Sequence, residues 1–419
     1  MSMSEQILSN LDNPGQLERL YRNNKPSFKS AFNAVYPQLQ NNPLAEGWYQ
    51  RLNYGQDELS WGSSRERTFV IGAVLVAALT AQLPKLFALD PEFFYPRNIS
   101  FIVFPVLISW FLWKNSVSIK TCVLLAGIVL GAAVFINVFP QDNPLQPGDT
   151  FVLSCMHLPL LLWAILGFAY ANGSFRSSAK RLEFLRYNGE LAVITALLLI
   201  SGGLVTALTI NLFNISGWQI EKFYFDYIVI SGLAAVPVVG TFLTQTQPAI
   251  VNKVSPLIAN LFSPVALVVL LVYLAAMVFS GKNPYQDRDF LIIFNAMLIG
   301  VIALIFFSVA DAGSGKKNAT QMMILFLLSM VTILVNGVAL SAVLFRITEW
   351  GITPNRAAVL GANVLMLIHL LIIGIKLFSV LTRKSDLSLV GKAMVLFLPV
   401  YAVWSAIVTF LFPFIFGFK

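Results

Sequence analysis

The apolar run that decides the fold lies in residues 320–356, which read TQMMILFLLSMVTILVNGVALSAVLFRITEWGITPNR. Its first part, 320–345, contains no charged residue. At about 1.5 Å of rise per residue, a helix of this length exceeds the hydrocarbon core of a bilayer, which is about 30 Å thick. The run therefore predicts a membrane-spanning α-helix that ends near Trp350 at the bilayer surface, where tryptophan is common.

The second part of this stretch, RITEWGITPNR at 346–356, has the composition of a sharp turn between two helices. Gly351 suits the left-handed position that follows the last helical residue. Thr353 can cap the next helix, and Pro354 can occupy its first position. We therefore predict that this helix and the next apolar stretch form an antiparallel hairpin.

Three charged residues of this turn, Arg346, Glu349 and Arg356, form a candidate charge cluster on the outer face. Arg346 and Glu349 are three residues apart on a helix and can pair. Arg356 falls in the first turn of a helix, where the dipole disfavours a cation, so it needs Glu349, a backbone carbonyl or an anionic headgroup as a partner. Two interpretations stay open: a structural charge cluster, and a contact with an anion or a lipid headgroup.

The same apolar pattern recurs along the whole chain, which is 57% hydrophobic and 11% charged, with a mean hydropathy of +0.75. These values exclude an ordinary soluble globular protein. We predict an all-α fold: a polytopic transmembrane helical bundle of about eleven spans in residues 68–419, preceded by a small helical module in residues 1–67. The spans are predicted near 68–88, 98–114, 119–139, 150–171, 189–213, 225–246, 256–280, 289–309, 320–345, 357–378 and 390–417.

The distribution of lysine and arginine predicts the orientation of the bundle. With a cytoplasmic N-terminus, 20 of the 28 basic residues lie in inner segments and seven in outer ones, while Lys85 lies within the first span. Cytoplasmic loops of membrane proteins carry such an excess. The N-terminus is therefore predicted inside and the C-terminus outside. The pI near 9.4 then follows from topology rather than from nucleic-acid binding. No cleaved signal peptide is expected, because the start lacks a basic segment followed by an apolar core.

Residues 1–67 predict a cytoplasmic module of short amphipathic helices. Asn13-Pro14 and Asn42-Pro43 each have the form of an N-cap followed by the first helical residue, and Pro37 can end a helix early. Apolar residues at helical spacing are Leu17, Leu20, Tyr21, Phe28, Phe32, Val35, Tyr36, Leu39, Leu44, Trp48 and Leu52. The module is either a helical cap whose aromatic face rests on the membrane or the bundle, or a domain that binds a protein partner.

The predicted inner loop 172–188 is basic and amphipathic. Its charged residues are Arg176, Lys180, Arg181 and Arg186, with apolar residues between them. Such a segment on the cytoplasmic surface is attracted to anionic lipid headgroups. These four residues are therefore candidate lipid-surface contacts, and the segment is either a topology anchor or a regulatory lipid sensor.

Polar residues inside the spans are the remaining candidates for a functional site, because a bilayer makes them costly. No carboxylate falls at a predicted bilayer centre, which disfavours a proton-driven pump and paired-carboxylate catalysis. The candidate intramembrane polar site consists of His157, His369, Lys376, Thr206 and Thr209. Each histidine is either a neutral side chain bonded to a neighbouring helix or part of a lined cavity, a proton relay or a metal contact.

Several other residues predict how the helices pack. Gly127 and Gly131 form a GxxxG pattern that permits close packing, while Pro237 and Pro264 are placed to kink the sixth and seventh spans. Intramembrane asparagines expected to hold helices together are Asn137, Asn295, Asn336 and Asn363.

Cofactor and catalytic motifs are absent from the sequence. Cys122 and Cys155 both fall in or next to apolar runs, so neither a disulfide framework nor a zinc site is expected. No phosphate-binding glycine loop, HExxH or GxSxG pattern occurs. We therefore predict no catalytic residue, no metal and no cofactor, and the sequence favours a non-enzymatic role.

Two stretches resemble a known family. The turn motif at 346–356 and the N-terminal LERLYRNNKPSFKSAFNAVYP and NPLAEGWYQRLNY are similar to bacterial polytopic inner-membrane proteins, including members from Bacteroidetes, that are defined only by a domain of unknown function. Trp350 and Ile352 stand where we expect Tyr and Leu in that family. The resemblance implies a bacterial inner membrane and brings no established activity.

For function, these features favour a carrier, a lipid-handling protein or an export-related protein. The first alternative is a signalling or scaffold protein that acts through residues 1–67 and the basic loop. The second is an intramembrane enzyme, which would need His157, His369 and the outer arginines to converge on one cavity. A carrier predicts a polar cavity at mid-membrane, lined by spans five to seven or by the two histidines. A scaffold predicts a closed bundle and an exposed apolar patch on residues 14–53.

Overall fold

The computed structural model describes residues 3–39, 42–53, 62–140, 147–173, 176–279, 285, 288–312, 319–384 and 386–419. Every regular element within these ranges is helical. The chain divides into two compact units, Met1–Trp61 and Gly62–Lys419.

The N-terminal unit contains four helices: α1 (Met3–Ser9), α2 (Pro14–Asn23), α3 (Lys25–Val35) and α4 (Pro43–Asn53). The side chain of Asn13 accepts a hydrogen bond from the backbone N–H of Gln16 at 3.2 Å, and Pro14 begins α2, as predicted. Helix α3 ends at Val35, and a single 3₁₀ turn over Tyr36–Gln38 contains Pro37. Capping chemistry and proline therefore define where these helices begin and end.

The apolar residues of the N-terminal unit form one core. All eleven residues predicted from helical spacing belong to this cluster, and Phe28, Phe32 and Trp48 are its buried aromatic centre. The predicted outward-resting aromatic face is wrong, because these rings pack against one another: Phe28 lies 5.2 Å from Trp48. Among the described residues of this unit, Leu8 is the one large apolar side chain that is exposed.

The membrane unit contains the remaining helices. They are α5 (Ser64–Ala81), α6 (Pro91–Lys114), α7 (Ile119–Asn137), α8 (Asp149–Tyr170), α9 (Ser178–Ile215), α10 (Glu221–Thr246), α11 (Pro248–Phe279), α12 (Arg288–Ala312), α13 (Ala319–Trp350), α14 (Pro354–Leu381) and α15 (Leu387–Ile415). Each predicted apolar stretch coincides with one of these helices. Eight of them, α6 to α10 and α13 to α15, are long and apolar enough to cross a membrane. The chain is an integral, multi-pass membrane protein whose surface contacts the lipid bilayer.

Several helices are longer than predicted, and for α6 and α9 the reason is visible in their first turns. Helix α6 begins at Pro91 because the side chain of Asp90 caps it, accepting from the N–H of Glu92 at 2.9 Å. Helix α9 begins at Ser178, so most of the basic segment predicted as a loop is helical. The side chain of Ser177 caps this helix, and the segment contains no proline that would end it.

The core of the membrane unit consists of two main clusters that meet along the first part of α9. One cluster lies between α5, α6, α7, α8 and α10, and the other between α11, α12, α13, α14 and the first half of α15. Phe184 and Tyr187 of α9 belong to the first cluster, and Leu185 belongs to the second. Helix α9 therefore joins the two halves of the bundle.

The rest of α9 stands apart from the bundle. Its buried side chains are Phe184, Leu185, Tyr187 and Ile194, and none of its residues after Ile194 is buried. A methyl group added at Gly202 or Gly203 would meet no atom within 4 Å. The same holds for Gly127 and Gly131 of α7, so the close packing predicted from GxxxG is not found among the residues that the structure describes.

Close helix contacts occur instead at other glycines. A Cβ atom built on Gly189 would lie 1.8 Å from the ring of Phe307, which brings α9 against α12. One built on Gly361 would lie 2.1 Å from the ring of Trp404, which brings α14 against α15. These glycines are required because the facing aromatic rings occupy the space of a side chain.

Candidate functional site

The turn between α13 and α14 has the predicted geometry. Gly351 adopts φ +77°, and its N–H donates to the carbonyl of Ile347 at 2.9 Å, which closes the end of α13. The hydroxyl of Thr353 accepts from the N–H of Arg356 at 3.3 Å, and Pro354 begins α14. Trp350 is exposed, as expected for a side chain at the bilayer surface.

The two arginines of this turn bind backbone carbonyls. Arg356 donates to the carbonyls of Gly351 at 2.7 Å and Trp350 at 3.0 Å, which are the unpaired acceptors at the end of α13. Arg346 donates to the carbonyl of Tyr285 at 3.0 Å. Both guanidinium groups also lie over the ring of Trp350: that of Arg356 is 5.6 Å from the ring centroid, and that of Arg346 is 6.0 Å from it. This geometry supports the structural interpretation of the charge cluster.

The predicted pair between Arg346 and Glu349 does not form. The carboxylate of Glu349 is exposed and makes no ion pair among the described residues. Helical spacing permitted the pair, but the guanidinium of Arg346 reaches Tyr285, outside its own helix, instead. An exposed pair of this kind contributes little to stability, so the backbone contact is the stronger alternative.

The basic segment at the start of α9 directs two of its charges into the protein. Arg186 pairs with Glu190 at 3.0 Å, and both side chains are largely shielded from solvent. Arg181 donates to the carbonyl of Val395 on α15 at 2.7 Å. Lys180 is exposed and lies 3.7 Å from Glu183. Arg176, the fourth predicted lipid contact, lies just before α9.

The predicted intramembrane polar residues lie in different places. The Nδ1 of His157 on α8 bonds the carbonyl of Leu153 in its own helix at 2.9 Å. Thr206 and Thr209 lie on the part of α9 that stands apart from the bundle, and the hydroxyl of Thr209 donates to Val205 within the helix. Lys376 is half-buried near the end of α14. No described contact joins any of these residues to His369.

His369, on α14, lies beside a break in α15. The first two segments of this helix, Leu387–Leu396 and Leu398–Ala406, are interrupted at Phe397. Pro399 follows the break, has no N–H, and leaves the carbonyl of Val395 without its usual helical donor. A break of this kind exposes backbone carbonyls inside a membrane, where another group must satisfy them.

The imidazole of His369 is fully buried against the broken segment. Its Nδ1 lies 3.0 Å from the hydroxyl of Tyr401, and its ring stacks on Phe397 with centroids 4.4 Å apart and planes 8° apart. The ring of Phe306 on α12 lies 5.0 Å away. The backbone of Ala393 and Met394, just before the break, also forms polar contacts with the imidazole. His369 of α14 is therefore held between α12 and α15.

Two asparagines of the neighbouring hairpin are buried without partners. Neither the oxygen nor the nitrogen of the side chains of Asn336 on α13 and Asn363 on α14 makes a hydrogen bond, and both residues have 0% exposure. The indole N–H of Trp404 on α15 is also unpaired. The expectation that these asparagines hold helices together is therefore wrong for Asn336 and Asn363. It is confirmed for Asn137, which exchanges two hydrogen bonds with Asn98 at 2.8 and 2.9 Å.

Helix register places these polar groups at two adjacent depths. Gly374 faces Met330 across the antiparallel α13–α14 pair, so Asn336 lies within about 3 Å of the depth of His369. Gly361 faces Trp404 across α14 and α15, so Asn363 lies within about 3 Å of the depth of Trp404. We call this set the polar centre: Asn336, Asn363, His369, Tyr401 and Trp404.

The polar centre is neutral and rich in aromatic rings. Its side chains offer amide, hydroxyl, indole and imidazole groups, which form hydrogen bonds in both directions. Among the described residues, no three His, Cys, Asp or Glu side chains come together as a metal site would require. A void of about 10 Å³ lies elsewhere, between α5, α6 and α10, and holds no more than one water molecule. This void does not coincide with the polar centre or with the predicted mid-membrane cavity lined by spans five to seven.

The centre combines one predicted residue with several that were not predicted as a site. His369 was predicted, whereas Tyr401 and Trp404 were not, and Asn336 and Asn363 were predicted only to hold helices together. Pro399 within the last apolar stretch was the available signal, because a proline inside a span frees a carbonyl one turn earlier.

Other charged groups inside the membrane unit have partners. Lys85 forms an ion pair with Asp226, and Gln82 donates to the carbonyl of Asp226 at 3.0 Å, beside a π-helical turn at Tyr224–Val229. Arg97 lies 3.9 Å over the ring of Phe93, in its own helix. Buried polar atoms without a hydrogen-bond partner also occur outside the polar centre, on Gln82, Trp110, Thr150 and Thr409. The polar centre differs from these sites because whole amide groups are unpaired there.

Comparison of this chain with protein-family models, with curated proteins and with solved structures finds no match.

Proposed function

We propose that this protein is a membrane carrier whose binding centre is the polar centre and whose moving element is α15. The observation that carries this proposal is the set of buried polar atoms without partners: both amide atoms of Asn336 and Asn363 and the indole N–H of Trp404. Trp404 lies on α15, and His369 packs against the break of that helix at Phe397. Carriers commonly place their binding sites at such interrupted helices.

The energetic cost of these groups supports a role in binding. Leaving one buried polar group unpaired costs about 1–3 kcal/mol, and apolar side chains of similar size would avoid that cost. A hydrogen-bonding ligand, together with the water that accompanies it, would recover this energy when it enters. Catalysis is a weaker explanation, because the centre contains no carboxylate and no activated nucleophile.

Eleven crossings with a cytoplasmic N-terminus are part of this proposal, and contacts between helix ends fit the alternation predicted for the first six. Glu66 pairs with Lys114, and Lys85 pairs with Asp226. In the predicted topology, each pair joins residues on the same side of the membrane. The positive-inside asymmetry and the family resemblance support a bacterial inner membrane, with the C-terminus in the periplasm.

The alternative, a scaffold or signalling protein, is supported by the absence of a pocket at the polar centre among the described residues, but its second requirement is not met. It requires an exposed apolar surface on residues 14–53, and the described apolar side chains there are drawn into the core of the N-terminal unit. Protein partners bind through such surfaces more readily than through a polar one. Binding of anionic lipid by the start of α9 stays a secondary proposal, carried by the exposed Lys180.

The proposal is tested by the access of water to the polar centre. Asn336→Cys and Asn363→Cys are each made in a chain whose free cysteines, Cys122 and Cys155, are replaced by serine. Right-side-out and inverted vesicles are then treated with a charged, membrane-impermeant methanethiosulfonate reagent. We expect labelling from both faces, because a carrier exposes its centre to each side in turn.

The matched controls are Val335→Cys and Ile373→Cys, at buried apolar positions of the same two helices. They should react much more slowly than the asparagine positions. Labelling from one face only, or rates no higher than those of the controls, would overturn the carrier proposal. A reporter fused after Lys419 that proves cytoplasmic would overturn the topology.

A further inference from the structure

The break in α15 leaves a backbone acceptor that the helix itself does not satisfy. Pro399 occupies the position whose N–H would bond the carbonyl of Val395, and proline has no N–H. The Nη1 of Arg181 lies 2.7 Å from that carbonyl and donates to it. A charged side chain of α9 thus replaces the missing backbone donor of α15.

The chain brings α9 and α15 close enough for this contact. A Cβ atom built on Gly391 would lie 3.0 Å from the side chain of Leu182, so the two helices approach closely one turn before Val395. Leu182 follows Arg181 directly, so the packing of Leu182 fixes the position of the Arg181 backbone, from which the guanidinium extends. A larger residue at position 391 would push Arg181 away from its acceptor.

Arg181 differs from its basic neighbours in what it binds. Lys180 lies beside Glu183, and Arg186 pairs with Glu190, so these two contacts stay within α9. The other described partner of Arg181 is the hydroxyl of Ser178 at 3.5 Å, a weak contact. The guanidinium of Arg181 therefore makes its main hydrogen bond to the backbone of another helix, α15.

We propose that Arg181 is the positioning residue of the polar centre. By holding the carbonyl of Val395 it fixes the break, and the break fixes Phe397, whose ring stacks on His369. The hydroxyl of Tyr401, one turn beyond Phe397, then meets Nδ1 of His369. This proposal rests on the geometry of the fold and stands whether or not the centre transports a ligand.

The test uses the two histidines as spectroscopic probes. The chain contains His157 and His369 and no other histidine, so a ¹³C-histidine-labelled full-length protein gives two ring signals, which His157→Gln assigns. Because the ring current of Phe397 acts on His369, we expect Arg181→Met to shift the His369 signal and to leave that of His157 in place. The amide of Tyr401, which donates to Phe397 at 3.0 Å, should also exchange about tenfold faster or more, as expected after loss of a charge-assisted hydrogen bond.

Pro399→Ala provides the decisive second variant, because alanine restores the N–H that the Val395 carbonyl lacks. In that background, Arg181→Met should no longer shift His369, while Arg181→Lys in the natural background should retain part of the native signal. The matched control is Arg186→Met, which removes from the same helix a charge whose described ion pair, with Glu190, lies within α9. An unchanged His369 signal in Arg181→Met, or an equal shift with and without Pro399, would overturn the proposal.

Discussion

The α13–α14 hairpin contains two polar regions that follow opposite rules. At the turn, Gly351, Thr353 and Arg356 satisfy the backbone groups at the two helix ends. Deeper in the same hairpin, Asn336 and Asn363 are buried with no hydrogen-bond partner. Helix capping explains the polar residues of the turn, whereas no interaction among the described residues explains the two buried asparagines. The charged residues of the turn therefore have a structural role, whereas the buried amides of Asn336 and Asn363 belong to the candidate binding site.

A substitution that disturbs packing should have the largest effect on the free energy of unfolding. It tests whether the polar centre is tightly packed. Gly361→Ala places a methyl group where the ring of Trp404 lies, so we expect a loss of about 1–3 kcal/mol in the free energy of unfolding. Gly127→Ala is the control, because nothing lies within 4 Å of its added carbon. Unfolding of the reconstituted protein in denaturant measures both. Equal stability of the two variants would mean that the centre is loosely packed.

Hydrogen bonding gives the next effect, and here the two kinds of asparagine should differ in sign. Asn336→Leu and Asn363→Leu remove unpaired amides, so we expect stability to rise by about 1 kcal/mol each. Asn137→Leu removes two hydrogen bonds to Asn98 and should lower stability by about 1 kcal/mol. The same unfolding assay applies. If all three variants lose stability alike, the asparagines of the centre have partners and the contrast with the turn disappears.

Helix capping at the turn gives the smallest effect. Thr353→Ala removes the side-chain acceptor of the Arg356 N–H and should cost about 1 kcal/mol or less. Thr348→Ala is the control, since that hydroxyl bonds Phe345 within its own helix and caps nothing. Hydrogen exchange of the first turn of α14 should rise in the first variant only. Equal exchange in both variants would remove the capping account of the turn.

Local rules predicted much of this fold because the interactions behind them span a few residues. The core of the N-terminal unit followed from helical spacing, and the hairpin followed from glycine, threonine and proline at fixed offsets. The same rules predicted the helices behind each apolar stretch. They underestimated α9, because a bilayer-length criterion stops where charges begin, although a helix does not.

The contacts of the candidate site could not be predicted in this way. Arg181 and Val395 are 214 residues apart in sequence, and no local pattern distinguishes Arg181 from Arg186. Likewise, Asn137 and Asn336 are both asparagines within apolar helices. One faces Asn98 and the other faces no partner. Which neighbour a side chain meets depends on helix packing, and a single sequence does not specify that directly.

The solitary part of α9 has a consequence for how the protein is made. Beyond Thr195, which packs against Gly240 of α10, this helix buries no side chain, so tertiary packing contributes little to the stability of that part. Its backbone hydrogen bonds and its apolar surface suffice in lipid, which means that it can enter the membrane before α11 to α15 have been synthesised. The first part of α9, which carries Arg181, would then wait at the membrane surface as a preformed docking surface. The two halves of the bundle would then pack together only after α11 to α15 are synthesised, and α9 would be the helix on which this second half assembles.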